Sequence, residues 1–318
     1  MLVNQPLLAA KNLIPPLSPK LHKGQAGRVA VVGGSEDYTG APYFSAISTL
    51  YTGADLCHVI CEQNAGGPIK SYSPDLMVHP YLRLSGAKSG DTLANEIVER
   101  VAELLPRIHA LVVGPGLSRD PLLLKCSGMI IEKAKERDMP IVIDADGLLL
   151  IQKNPALIAG YQNAILTPNV NEFRRLCDAT GVKMDDGANH QLARQLSQAL
   201  GGVTIIQKGA QDVITNGEEV LVCEEAGGLK RCGGQGDILS GVLGAFMAWG
   251  VGYRRKIWSH EGALEAQQIS LLAAYAGCSV TRRASKLAFQ RYGRATVTER
   301  VLDFIQPSFT DLFEVQEA

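Results

Sequence analysis

Aromatic residues make up only 6% of this 318-residue chain, and neither sign of charge dominates it. Its 31 Lys and Arg against 32 Asp and Glu leave a formal net charge of -1, so no broad basic face for nucleic acid is implied. Long apolar runs are also missing. The two uncharged stretches, Thr39–Ala54 and Ile238–Tyr253, fall short of the roughly 20 residues that cross a bilayer. The 7 cysteines (57, 61, 126, 177, 223, 232 and 278) form no CxxC pair and are odd in number. That argues against a disulfide framework and a zinc site. The opening MLVNQPLLAAKNLIPPL lacks both a charged n-region with an apolar h-region and the Arg- and Ser-rich pattern of a transit peptide. These absences predict a cytosolic protein, with a mitochondrial address as the alternative, and neither nucleic acid nor membrane as partner.

What remains is 46% hydrophobic, far too apolar for disorder, and long enough to bury a real core. Short β-branched runs predict strands at 28–33, 56–61, 110–114, 140–144, 164–167 and 203–208. Between them, helical patterns lie at 41–54, 92–105, 121–137, 171–178 and 190–200. Runs such as LVVG and IVID are apolar on both faces, as in a parallel sheet covered on both sides, and their alternation with helices signals a doubly wound α/β layer fold. After Lys208 the rhythm changes. QDVITNGEEVLVCEE predicts a hairpin with Asn216-Gly217 at the φ > 0 positions, and mostly helical sequence follows from Gln235. No linker divides the chain, so residues 1–318 are expected to form one domain, with 1–22 as an N-terminal extension.

No GxxxxGK[ST] phosphate loop occurs, and no GxGxxG follows a strand. VAVVGGSEDYTGAP at 29–42 has the order strand, glycine pair, helix, but not the dinucleotide-fold glycine spacing. Its Gly33-Gly34-Ser35 reads equally as a ligand loop and as a tight strand-to-helix turn. More informative is GGLKRCGGQGDILSGVLGAFMAWG at 227–250. Successive N–H groups of a glycine turn at a helix start form an anion pocket, strengthened by the helix dipole. An acid there, Asp237, makes sense as a base that takes a proton from a hydroxyl attacking a phosphoryl group. Local spacing is as compatible with Asp237 as an ordinary N-cap.

Three further strand ends carry polar clusters: Gly114-Pro115-Gly116, Asp144-Ala145-Asp146-Gly147, and Thr167-Pro168-Asn169 leading to Glu172. Each alone is a turn or cap. Following successive parallel strands, they favour one crevice at the carboxyl edge of the sheet. Lys208, ending VTIIQKG, reads as a phosphate ligand or as a solvated strand-end lysine, the commoner case. The six histidines show no ligand spacing and no metal site is predicted, while Arg282-Arg283 are expected at the surface.

Taken in order, GRVAVVGGSEDYTGAPYFSA, LVVGPGL, VIDADGLLL, AILTPNVNEF, QKG and GGQGD resemble the NAD(P)H-hydrate dehydratases of the ribokinase-like superfamily, from about Lys23 to the C-terminus. GGLKRCGGQGD and TRRASKLAFQRYGRATVT are similar to the eukaryotic, ATP-using branch. Two departures stand out: Ser118 where members often have Gly after GPGL, and Asn169 where bacterial relatives often have His.

The resemblance implies a single-domain ribokinase-like αβα sandwich with a mainly parallel central sheet. It implies Asp237 as catalytic aspartate, adjacent to the hydrate, with Gly234, Gln235 and Gly236 cradling the phosphoryl group. ATP would meet Lys208, Gly209, Ala210, Gln211 and Asp212, and the stretch Gly227, Gly228, Leu229, Lys230, Arg231, Cys232 and Gly233. The hydrated dinucleotide would meet Gly116, Asn169, Val170, Asn171, Glu172, Phe173, Arg174 and Arg175. Asp144 and Asp146 would orient polar ligand groups or metal waters.

The implied reaction is ATP-dependent dehydration of (6S)-NADHX or NADPHX with Mg²⁺, with phosphate made the leaving group. A homo-oligomer and a functional link to an NAD(P)H-hydrate epimerase complete what the resemblance implies. The alternatives are a small-molecule kinase of the same superfamily, such as a vitamin-precursor kinase, and a non-catalytic nucleotide-binding protein. An acid facing phosphates weighs against the second.

Overall fold

The computed structural model describes residues 5–86, 90–184 and 189–314. Nine strands form one sheet: β1 (Arg28–Val32), β2 (Leu56–Glu62), β3 (Met77–Leu82), β4 (Ala110–Val113), β5 (Ile141–Ile143), β6 (Ala164–Leu166), β7 (Thr204–Gln207), β8 (Asp212–Thr215) and β9 (Val220–Cys223). Their spatial order is β3-β2-β1-β4-β5-β6-β7-β8-β9. From β3 through β7 every pairing is parallel, and β8 and β9 join antiparallel.

The helices in chain order are α1 (Pro6–Lys11), α2 (Gly40–Thr52), α3 (Gly66–Tyr72), α4 (Asp91–Ala102), α5 (Pro121–Lys135), α6 (Asp146–Lys153), α7 (Val170–Thr180), α8 (Asn189–Ala199), α9 (Gln235–Arg254), α10 (Ala266–Tyr292), α11 (Thr298–Leu302) and α12 (Ile305–Phe309). The double-sided apolar strands explain the layers. Val29 and Val31 enter one core with α2, α9 and α10, while Ala30 and Val32 enter the other with α4, α5 and α8. Each such fully buried Val, Leu or Ile contributes about 1.5–3 kcal/mol through removal of its surface from water. The chain winds outward from β1 to β3, then returns to β4, so the strand order reverses between β1 and β4. That is where an open α/β sheet leaves a crevice beyond its strand ends.

The αβα sandwich with a mainly parallel sheet that the resemblance implies is the observed architecture. The two uncharged runs became α2 and α9, which lie against each other through small residues; Ser45 Oγ and Ser240 Oγ are 2.9 Å apart. Among the described residues no helix is long and apolar enough to cross a membrane.

One expectation of the fold needs correction. The β8–β9 turn has only Gly217 at positive φ, 88°. Asn216 instead uses its side-chain oxygen to accept from the N–H groups of Glu218 and Glu219, at 3.1 and 2.8 Å. Within the expected N-terminal extension, Ala10 and Leu13 are fully buried in the core shared with α10.

Candidate active site

The site grows from strand ends. β5 stops at Ile143 and leaves Asp144 buried, where its carboxylate accepts from Thr167 Oγ1 at 2.6 Å and from Lys208 Nζ at 3.0 Å. Thr167 follows β6 and Lys208 follows β7, so three neighbouring parallel strands deliver one polar cluster. Lys208 is therefore a half-buried partner of the buried Asp144 rather than a solvated strand end. Burial works to lower its pKa, and the charges of Asp144 and Glu172 overcome this and hold it above the usual lysine value.

The glycine turn lies directly over this pair. A side chain at Gly236 would begin 3.3 Å from Lys208 Nζ and 3.7 Å from Asp144 Oδ2. Gly234 is the N-cap of α9, with φ 95°. Asp237 is thus the third residue of the helix and makes no capping bond, which removes the N-cap reading. Its carboxyl is pushed up to about 7, first by burial and then by the charge of Asp144, with Lys208 opposing. A carboxylate ready to accept a proton near neutral pH fits general-base work.

On one side of the turn lies a cleft of about 560 Å³. Lys208, Gly209, Ala210 and Asp212 line it, as do Gly227, Gly228, Arg231, Gln235, Gly236, Asn169, Val170 and Asn171. Of the expected nucleotide segment, Leu229 is 82% exposed, Lys230 and Gly233 are exposed, and Gln211 points to Glu224 at 3.4 Å. Gln235 turns its side-chain amide back onto the loop, donating to Lys230 O and to Cys232 Sγ at 3.2 and 3.1 Å.

On the other side, Asp146, Glu172, Arg175 and Arg119 line a smaller hollow of about 110 Å³. α7 opens on a capping box: Asn169 Oδ1 accepts from the N–H groups of Asn171 and Glu172, and Glu172 accepts from Asn169 N at 2.8 Å. Burial raises the Glu172 pKa, with the Asn169 N–H the largest opposing influence. Phe173 is not at the crevice; it is buried in the core beneath α7, and Arg174 faces outward. Gly116 is buried, and its carbonyl accepts from Ser35 Oγ at 3.0 Å, tying the loop after β1 to the loop after β4.

Two residues escaped the sequence reading. Arg282 is no surface arginine. Its side chain is 14% exposed and sits 3.4 Å from Asp212, donating also to the carbonyls of Gly209, Ala210 and Glu225. Arg283 pairs with Glu225 at 2.9 Å. Thr298 donates to Gly233 O from α11. Both lie within the segment 281–298 that carries the branch resemblance, but nothing local gives either a role at the site, because both meet it only through tertiary packing.

No group of three or more His, Cys, Asp or Glu among the described residues is arranged to hold a metal by itself. Asp144 and Glu172, both close enough to Lys208 to act on its charge, offer the one or two carboxylates that Mg²⁺ takes alongside phosphate oxygens and waters. The donor set therefore fits Mg²⁺ arriving with a nucleotide.

A mainly parallel, doubly wound sheet between helical layers, with a glycine turn opening α9 and an acid in that helix's first turn, defines an α/β sandwich whose site lies at its strand ends. In solved structures, the same fold occurs in a ribokinase-like superfamily protein from Enterococcus faecalis V583, with TM-score 0.71 and 17% identity over 97% of this chain and 95% of that one. The ADP/ATP-dependent NAD(P)H-hydrate dehydratase from Bacillus subtilis, co-crystallised with ATP/Mg²⁺, shares it with TM-score 0.66 and 18% identity, covering 96% of this chain and 97% of that one. Residues 29–307 match the NAD(P)H-hydrate dehydratase family, and the chain belongs to it. The ATP-dependent (S)-NAD(P)H-hydrate dehydratase of Phaeosphaeria nodorum is 47% identical over 306 residues, spanning 96% of this chain and 94% of that protein.

Proposed function

We propose that this protein repairs hydrated NADH and NADPH, using ATP to dehydrate the (6S)-hydrates and releasing ADP and phosphate. The observation that carries the mechanism is the Asp237 carboxyl, poised near pH 7 in a glycine turn over the Lys208–Asp144 pair. Hydroxide is a poor leaving group from C6 of the ring. Asp237 takes the proton of the C6 hydroxyl as its oxygen attacks the terminal phosphoryl of ATP; the O–P bond forms and ADP leaves. The ring nitrogen then supplies electrons, the C6–O bond breaks, phosphate departs with that pair, and loss of the neighbouring C5 proton re-forms the dihydropyridine.

In this reading the N–H groups of Gly234, Gln235 and Gly236 hold the charge of the phosphoryl group, and Lys208 neutralises phosphate oxygens. ATP occupies the 560 Å³ cleft, from Lys208 to Asp212 and along Gly227 to Gly236. The hydrate lies towards Gly116, Asn169 and Arg175. Mg²⁺ bound with ATP would neutralise charge on its phosphates, with Asp144 and Glu172 holding its waters. A cytosolic setting accords with the free, mostly buried cysteines. A homo-oligomer and an epimerase that supplies the S epimer belong to the same proposal.

The test incubates acid-generated NADPH hydrate with ATP and Mg²⁺ and follows near-ultraviolet absorbance and free phosphate together. Equal recovery of NADPH and phosphate is expected. A stable phosphorylated product without NADPH would overturn the dehydratase in favour of a small-molecule kinase.

A further inference from the structure

Thr298 lies in the C-terminal quarter of the chain, at the start of α11, yet its side chain is built into the phosphate turn. It is 3% exposed, and its hydroxyl donates to the carbonyl of Gly233. The Cys232 sulfur lies 3.5 Å from Thr298 Oγ1, and Gln235 Nε2 reaches that sulfur at 3.1 Å. The Thr298 methyl, hydroxyl and Cβ occupy the space that a side chain at Gly234 would need, at 2.8, 2.9 and 3.1 Å from an ideal Cβ. Gly234 has φ 95°, a left-handed conformation that costs other residues about 1–2 kcal/mol. One threonine therefore backs the turn's only left-handed residue and binds the carbonyl preceding it.

That bond decides what the turn shows to a ligand. The first N–H groups of α9 have no acceptor within the helix and make an anion site only if they, and not a carbonyl, face the phosphoryl group. Binding Gly233 O to Thr298 commits that carbonyl's negative end to α11. Asp237 follows four residues after that carbonyl, in the first turn of α9.

We propose that Thr298 is a positioning residue for phosphoryl transfer, acting through the Gly233–Gly234 turn rather than on the substrate. This rests on the dehydratase reading for its rate, though not for its nucleotide readout. Thr298→Val keeps the shape and removes the O–H; Thr298→Ser keeps the O–H and removes the methyl. In the NADPH-recovery assay Thr298→Val should lower kcat by about 10- to 100-fold, the range a misplacement near 1 Å can cause. KM for the hydrate should stay within a few-fold, and Thr298→Ser should keep most of the wild-type rate.

Independently of the hydrate, the preference for β,γ-imido-ATP over ADP should shrink in Thr298→Val and persist in Thr298→Ser, because the turn meets the terminal phosphate. Wild-type kcat and an unchanged nucleotide preference in Thr298→Val would overturn the proposal. Equal losses in both variants that track a fall in melting temperature would do the same, since they mark packing alone. A wild-type protein that recovers no NADPH would defeat the dehydratase reading while leaving the nucleotide comparison to decide this one.

Discussion

Asp237 is held where its charged form is disfavoured. Burial and the Asp144 carboxylate raise its pKa to about 7 in the folded protein, against an ordinary 3.8. A carboxyl with a raised folded pKa favours folding most below its unfolded value, and this advantage is lost as pH rises through 7. Asp237→Asn should therefore abolish NADPH recovery yet leave the protein more stable than wild type at pH 8, by about 1–3 kcal/mol, with no such gain at pH 4. Denaturant melts at the two pH values check this, and equal stability at both would contradict the raised pKa. Ser118 makes a separate case. It has φ 70°, and its N–H donates to Asp146 Oδ2 at 2.9 Å. Left-handed strain of about 1–2 kcal/mol outweighs the 0.4–1 kcal/mol that glycine loses through its freer unfolded chain. Ser118→Gly is thus expected to gain up to about 1 kcal/mol in a thermal melt with the Asp146 contact intact.

Among the elements, β5 and β7 are joined at the site by an ion pair. Lys208, at the end of β7, and Asp144, at the end of β5, lie 3.0 Å apart with Asp144 almost wholly buried. Removing one member of such a pair leaves a buried charge alone, at a cost of about 3–5 kcal/mol. Lys208→Met should lose stability on that scale, and Lys208→Met with Asp144→Asn should recover part of it. Because Lys208 holds the Asp237 pKa down, the acidic limb of the kcat/KM profile should move above pH 7 in Lys208→Met. A limb that stays in place would show that Lys208 does not act on Asp237. β5 was legible in the sequence because its run is apolar throughout, and β7 because the β-branched Thr204, Ile205 and Ile206 follow Val203. β3 was not, since Pro80 interrupts MVHPYL, and a proline is tolerated there only because β3 is an edge strand. The glycine turn was visible as a motif, whereas the choice between cap and base for Asp237 needed the position of Gly234. Phe173 illustrates the converse: neighbours of a motif residue on a helix point different ways, so a run of seven consecutive positions from Asn169 to Arg175 could not all face a ligand.

At the scale of the molecule, the crevice has two ends held by different parts of the chain. The hydrate end, in the proposed assignment, is made by loops after β1, β4, β5 and β6. The nucleotide end is made by the β7–β9 hairpin, the loop after β9 and α10, which arrive late in the sequence. Arg282 on α10 joins these last pieces, binding Asp212 and the carbonyls of residues 209, 210 and 225. Burial raises the Asp212 pKa and the guanidinium opposes it, so Arg282 helps keep that carboxylate charged to receive the Gly209 N–H at 3.1 Å. Arg282→Met preserves much of the side-chain volume and removes every one of these bonds. Losing charge-assisted bonds worth about 1.5–3 kcal/mol each should loosen the hairpin root and weaken ATP by at least about tenfold. The hydrate end contains none of the groups Arg282 holds, so hydrate affinity should change little. Thermal shifts separate the two, because a ligand bound only to the folded state raises stability by RT ln(1 + [L]/Kd). With Mg²⁺ and ATP the shift should shrink in Arg282→Met at concentrations that saturate the wild type, while the hydrate shift persists. A matching loss of both shifts would mean that the two ends form one cooperative unit, with Arg282 supporting the whole sheet edge rather than the nucleotide site.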